Sequence, residues 1–304
     1  MMTMNDVVVL RYTGYKLRIV ICSIRSFRIN MDDNHNVNIR IRFDQKCWAI
    51  FKNNAYIFAY VLAIVIIPAC FVPYVVSVYF GQVPPILPYI SDAAAFKPAT
   101  GYFAQLLDII VMLGALVCIA RFKQIHYYIS VVLDEQKNSI DENKLSRLHL
   151  QNFLSLASFA IAGFGMVMIG NFPGVDYMIL HMTGVYLFII FSLIQHFIMI
   201  SIMRKLYRYG RLESHPTSVI IVVSTLFVSI TVCHVAVSIS YVHHPESIIF
   251  NHNARIQWQA NQPGYVWHVV STASEFVYFL MFVPYFWSIG HRMQSFKQWD
   301  RIHF

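Results

Sequence analysis

The chain has 304 residues, of which 57% are hydrophobic and 12% charged, with a formal net charge of +8 at pH 7. Soluble domains carry about 25% charged residues, so a chain this apolar needs lipid rather than water over much of its surface. Its five cysteines, an odd number, do not describe a disulfide framework, and its basic charge lies beside apolar runs, where anionic headgroups are a better partner than nucleic acid.

Residues 1–50 read as a basic N-terminal segment, partly disordered. The short apolar runs Val7–Leu10 and Leu17–Cys22 are flanked or broken by Arg11, Lys16, Arg18 and Arg25. Neither makes the continuous core and small-residue cleavage site of a signal peptide. Met31 opens Met-Asp-Asp-Asn, so residues 1–30 read either as an optional extension or as a genuine basic arm.

Six apolar runs come next, at 55–80, 101–120, 152–170, 177–202, 217–241 and 265–290. Each approaches the roughly 20 residues an α-helix needs to cross a bilayer core. Two of the 23 Lys and Arg residues, Lys97 and Arg255, fall on one side of these runs, and the other 21 fall opposite or in the N-terminal segment. Positive charge favours the cytosolic face. The expected architecture is therefore all-α, a polytopic membrane protein with a bundle of six transmembrane helices and both termini cytosolic. Residues 1–50 precede the six-helix domain at 51–291, and 292–304 form a short cytosolic tail.

Pro68 and Pro73 should kink the first helix. The loop after it reads Gly81-Gln-Val-Pro84-Pro85-Ile-Leu-Pro88-Tyr89-Ile90-Ser91-Asp92. Its prolines exclude helix, and the segment is expected to lie ordered across the helix ends, with Asp92 capping a short turn into the second helix. The charge run Asp134–Lys144 reads as a solvated helix or loop. Gly163, Gly165 and Gly170 mark the third helix as the central packing helix. The turn Gly170-Asn-Phe-Pro-Gly174 then makes an α-hairpin with the fourth.

Polar groups at membrane depth are costly, and they carry the functional candidates. Counting about 1.5 Å per residue, Asp108 lies about 11 Å and Glu275 about 15 Å below the lumenal helix ends. His181 and His234 lie in the same half of the layer. The four either converge on one polar cavity or make separate hydrogen bonds to neighbouring helices. A carboxyl as deep as Glu275 is paired or protonated, and a protonated His181 or His234 is its expected partner in the first case. No His/Cys pattern has the paired spacing of a zinc site; His243, His244 and His252 read as loop-surface residues and His196 as interfacial. No nucleophile motif or nucleotide-binding loop occurs, so no catalytic, cofactor-binding or metal residue is assigned. Tyr209-Gly-Arg-Leu212 has the form of an endosomal sorting signal.

The string Pro84-Pro-Ile-Leu-Pro88-Tyr89-Ile90-Ser91-Asp92 resembles the signature loop of the damage-regulated autophagy modulator family. Gly163-Phe-Gly165-Met-Val-Met-Ile-Gly170-Asn-Phe172 is similar to that family's third helix and turn. His181-Met-Thr-Gly184 is similar to its His-x-x-Gly element, and Tyr265-Val-Trp-His268-Val-Val-Ser271-Thr-Ala-Ser-Glu275 to its sixth helix. Ala93–Ala95, Lys97-Pro98 and Phe276 depart from the family's usual residues. The resemblance implies a non-enzymatic multi-pass protein of lysosomal or endosomal membranes that supports autophagy. It implies protein partners in the membrane or cytosol, and no catalytic residues. Within the wider group, one alternative is a plasma-membrane scaffold for a phosphatidylinositol 4-kinase. Another is a lipid-handling enzyme or transporter, with the Golgi as a further location, and its polar cavity would be lined by Asp108, His181, His234 and Glu275.

Overall fold

The computed structural model describes residues 24–31, 37–43, 54–133, 141–244 and 255–302. It divides into two units, 1–54 and 55–304. In the first, β1 (Ile24–Met31) pairs antiparallel with β2 (Val37–Phe43), with Phe27 opposite Ile41 and Ile29 opposite Ile39. The rest of the expected basic N-terminal segment lies outside the described residues. The hairpin's sequence signal is the alternation Phe27-Arg-Ile29-Asn-Met31 and Val37-Asn-Ile39-Arg-Ile41-Arg-Phe43, the period of a strand rather than a helix.

The second unit is all-α. Its main helices are α1 (Ala55–Tyr79), α3 (Ala99–Tyr127), α4 (Glu142–Asn171), α5 (Met178–Gly210) and α6 (Thr217–His243), followed by α7 (Tyr265–Leu280) and α8 (Phe282–Ser295). A one-turn helix, α2 (Ile90–Ala93), lies between α1 and α3. Six stretches are long and apolar enough to cross a membrane, with α7 and α8 together forming the sixth. Side chains such as Ile64, Val75, Met112, Phe164, Ile221 and Val228 are exposed on their outer faces, as lipid permits and water does not. The protein is an integral membrane protein of six spans.

Several spans run past the apolar runs. The second continues from α3 through a π-helical turn, Tyr128–Leu133, and α4 begins ten residues ahead of its apolar run, where Asp141 accepts a hydrogen bond from Asn143 N at 3.2 Å. That part of the charge run is helix; 134–140 lie outside the described residues. Helix α1 contains both Pro68 and Pro73 and stays one element. The sixth span is interrupted at Met281 because Pro284 has no N–H to offer the carbonyl of Leu280.

Helix α4 packs mainly against α5 and α3, α1 against α3 and α8, and α6 against α7. The α4–α5 crossing is tight at Gly165 and Gly184. A Cβ on Gly165 would fall 2.6 Å from the carbonyl oxygen of Gly184, and one on Gly184 2.7 Å from that of Gly165. Glycine is required there because the two backbones touch. Gly163 is looser, its nearest neighbour being Val111 at 3.4 Å from such a Cβ.

Candidate functional site

The loop between α1 and α3 is fastened before it reaches the bundle axis. Tyr74 Oη donates to Pro85 O at 2.6 Å, and Gln82 Nε2 donates to Lys97 O at 2.6 Å. Leu87 takes a positive φ of 28°, which L-residues rarely adopt, and Pro88 behind it is buried. The chain then enters α2. Asp92 does not cap this turn as expected: Tyr89 is the N-cap residue, and Asp92 lies inside the turn with its carboxylate turned elsewhere.

Three contacts lock the turn to residues more than 140 positions further along the chain. Tyr89 Oη donates to Ser271 Oγ at 2.8 Å, and Ser271 Oγ in turn donates to Cys233 O at 2.9 Å, joining α2, α7 and α6. Burial pushes the Tyr89 phenol well above the usual tyrosine range, so it remains a neutral donor. The backbone N–H of Ile90 donates to Glu275 Oε2 at 2.8 Å. Arg255 grips Asp92 in bidentate fashion, Nε to Oδ2 at 2.8 Å and Nη2 to Oδ1, with both side chains buried. The Asp92 carboxylate holds the Arg255 guanidinium well above even the usual arginine range. Bidentate pairing of this kind is among the stronger polar contacts available to a protein. One of the two cations assigned to the far face is thus consumed by the last residue of the Pro-Tyr-Ile-Ser-Asp string.

Beneath the locked turn lies a cavity of about 170 Å³ between α5 and α6. Its upper wall carries Tyr89, Ser91, Asp92 and Arg255; its lower wall is apolar, with Val185, Ile189 and Ile230. His181, His234 and Glu275 all line it, whereas Asp108 does not and instead accepts a 3.1 Å hydrogen bond from Asn171 Nδ2. Neither histidine is bonded to Glu275. His181 Nδ1 lies 2.9 Å from Phe172 O and His234 Nδ1 2.8 Å from Ile230 O, so each donates to a backbone carbonyl. The expected partner of Glu275, a protonated histidine, is replaced by a backbone N–H. His268 faces a separate crevice of about 10 Å³, stacked on Trp258 at 4.8 Å and edge-on to Tyr89 at 5.2 Å. Its Nδ1 is buried without a hydrogen-bond partner among the described residues.

Residues 54–291 match the sequence profile of the Frag1/DRAM/Sfk1/Cwh43P N-terminal domain. The chain belongs to that family. Among curated proteins, DNA damage-regulated autophagy modulator protein 1 of Mus musculus is 26% identical over 240 residues, covering 75% of this chain and 89% of that protein. The Homo sapiens protein of the same name gives the same identity and coverage. DNA damage-regulated autophagy modulator protein 2 of Rattus norvegicus is 22% identical over 232 residues, covering 73% of this chain and 80% of that protein. No solved structure matches.

The other end of this Frag1/DRAM-family bundle holds residues that sequence reasoning counted only as basic loop charge. Glu213 sits between two arginines. Arg121 meets it at 2.6 Å through Nη1 and 2.7 Å through Nη2, and Arg292 Nη1 approaches at 3.4 Å. Arg292 also donates to Ser214 O at 2.8 Å, and Arg121 to Gln124 Oε1 at 2.8 Å. All three charged side chains are buried, tying α3, the α5–α6 loop and α8 together. The sequence signal was available: Glu213 is the lone acidic residue in a loop otherwise basic. Arg147, Arg204, Arg208 and Arg211 remain exposed at the same end. Tyr209 lies in the last turn of α5, packed against the core rather than extended as a sorting signal would be. Among the described residues, no three of His, Cys, Asp and Glu come close enough to hold a metal ion.

Proposed function

We propose that this protein is a non-enzymatic multi-pass component of endolysosomal membranes that supports autophagy. It is set in the membrane with its basic end in the cytosol and its locked loop in the lumen. The observation carrying this reading is the collinear match of some three-quarters of the chain to proteins named as autophagy modulators. The locked loop supports it: the Pro-Tyr-Ile-Ser-Asp string, the most specific part of the resemblance, is the string that α7 and Arg255 hold in place. The exposed arginines at the basic end suit anionic cytosolic headgroups, each worth about 1 kcal/mol near such a surface, and the same face is open to protein partners.

The test is a deletion followed by rescue. Removal should lower autophagic flux, measured as lysosome-dependent turnover of a lipidated autophagosome marker, and the wild-type chain should restore it. A tagged copy should coincide with a lysosomal marker. Normal flux in the deletion, with the tagged protein confined to the plasma membrane, would reject the reading in favour of a plasma-membrane scaffold.

A further inference from the structure

The Glu275 cavity has chemistry that a role in autophagy leaves unused. Among the described residues, ion pairs occupy Asp92 and Glu213, and no Lys, Arg or His lies within ion-pair distance of Glu275. Its Oε2 accepts from Ile90 N; among the described residues no hydrogen bond reaches its Oε1, and the side chain is only partly buried although it sits at membrane depth. An ionised carboxylate there requires a counter-charge. With Glu275 ionised, the charged groups lining the cavity, Asp92, Arg255 and Glu275, sum to one negative charge, and the titratable His181 and His234 beside them spend their Nδ1 hydrogens on backbone carbonyls.

The surrounding walls indicate what supplies that charge. Tyr89, Tyr241 and Phe279 line the same cavity as Glu275, and aromatic rings attract ammonium groups. Below them the wall is aliphatic. Tyr186 belongs to the lining and is also 46% exposed on the outer surface between α5 and α6. Tyr186 thus spans from the cavity lining to the outer, lipid-facing surface of the bundle.

We propose that this cavity binds a membrane amphiphile with a cationic amine head, the ammonium seated against Glu275 and the hydrocarbon chain leaving between α5 and α6. The bidentate hold of Asp92 on Arg255 disfavours an anionic head at the same place. The ammonium group is common to single-chain amines and to aminophospholipids, and either source fits this chemistry. Binding of the amine depends on the cavity alone and is measured without a cell, so it stands or falls separately from the role in autophagy.

The experiment uses the purified full chain in a neutral maltoside detergent and follows its thermal unfolding. Dodecylamine should raise the midpoint of the wild-type protein by mass action on the folded state, while dodecanol, matched in chain length, should not. Glu275→Gln keeps an acceptor for Ile90 N and should fold without ligand, yet lose the dodecylamine shift. Val185→Phe fills the apolar wall and leaves the carboxylate; it should lose the shift too, and it carries the test if Glu275→Gln does not fold. In nanodiscs, stabilisation by phosphatidylethanolamine but not phosphatidylglycerol would identify the two-chain source, and dodecylamine alone the single-chain one. Equal shifts from dodecylamine and dodecanol, or a dodecylamine shift that survives Glu275→Gln or Val185→Phe, would overturn the proposal.

Discussion

At the scale of single residues, depth in the membrane identified Glu275, but the partner it uses was not legible. The sequence left two readings, a protonated His181 or His234 at similar depth or a proton held by the carboxyl itself. The backbone N–H of Ile90 takes the partner's place, 185 positions away, and no one-dimensional pattern encodes such a contact. Glu275→Gln should therefore cost no more than about 1 kcal/mol, since the N–H keeps an uncharged acceptor. Glu275→Lys would set a bare cation beside a backbone donor and should abolish assembly, read as loss of the folded peak in size-exclusion chromatography. If Gln proves as damaging as Lys while Glu275→Asp is tolerated, the negative charge itself holds the fold. At the opposite end, Glu213→Gln strands two buried arginines. It should cost about 3–5 kcal/mol, the usual penalty for removing one partner of a buried ion pair, visible as a lower unfolding midpoint. A midpoint unchanged from wild type would mean that Arg121 and Arg292 find other partners.

At the scale of elements, the six spans were legible because an apolar run of the right length has no other stable solution in a bilayer. Their ends were not. Helices α3, α4 and α5 extend well beyond the apolar runs, since polar residues continue a helix once it leaves the lipid. The break at Met281 follows from Pro284, which was readable but hidden within an otherwise unbroken apolar run. The β1–β2 hairpin carries a two-residue alternation between its arginines, the period of a strand. The glycine reading of α4 was sound in kind but could not say which glycine meets a partner. Gly165 does, against Gly184, whereas Gly163 has room. Gly165→Ala should cost about 1–3 kcal/mol as an overpacked contact, and Gly163→Ala much less. The two unfolding midpoints compare them directly, and equal losses would mean that the α4–α5 crossing is wider than a backbone contact.

At the scale of the whole molecule, the two ends of the bundle are built differently. One is closed by a proline-rich turn fastened to α7 and Arg255 over a polar-mouthed cavity. The other carries the exposed arginines around a buried Arg-Glu-Arg cluster. Sequence reading placed His181, His234 and Glu275 in one half of the membrane, and the three share the cavity lining. Asp108 takes the other course left open, a separate hydrogen bond from Asn171, because depth along a helix does not fix which way a residue faces. The basic residues also served two purposes at once. Arg121 and Arg292 were counted as orientation signals, yet they are core ion-pair residues; Arg147, Arg204, Arg208 and Arg211 still bias the same end towards the cytosol. Orientation is the most direct test, because the lock, the cavity mouth and the ammonium site all lie at the loop end. With Cys22 and Cys47 replaced by Ser, a cysteine at the exposed Asn261, just ahead of α7, should react with an impermeant maleimide only after the lumenal side is opened. A cysteine at the exposed Arg208 should react from the cytosolic side of sealed vesicles. Labelling of Asn261→Cys from the cytosolic side in sealed vesicles would contradict the orientation and put the locked loop on the wrong face of the membrane.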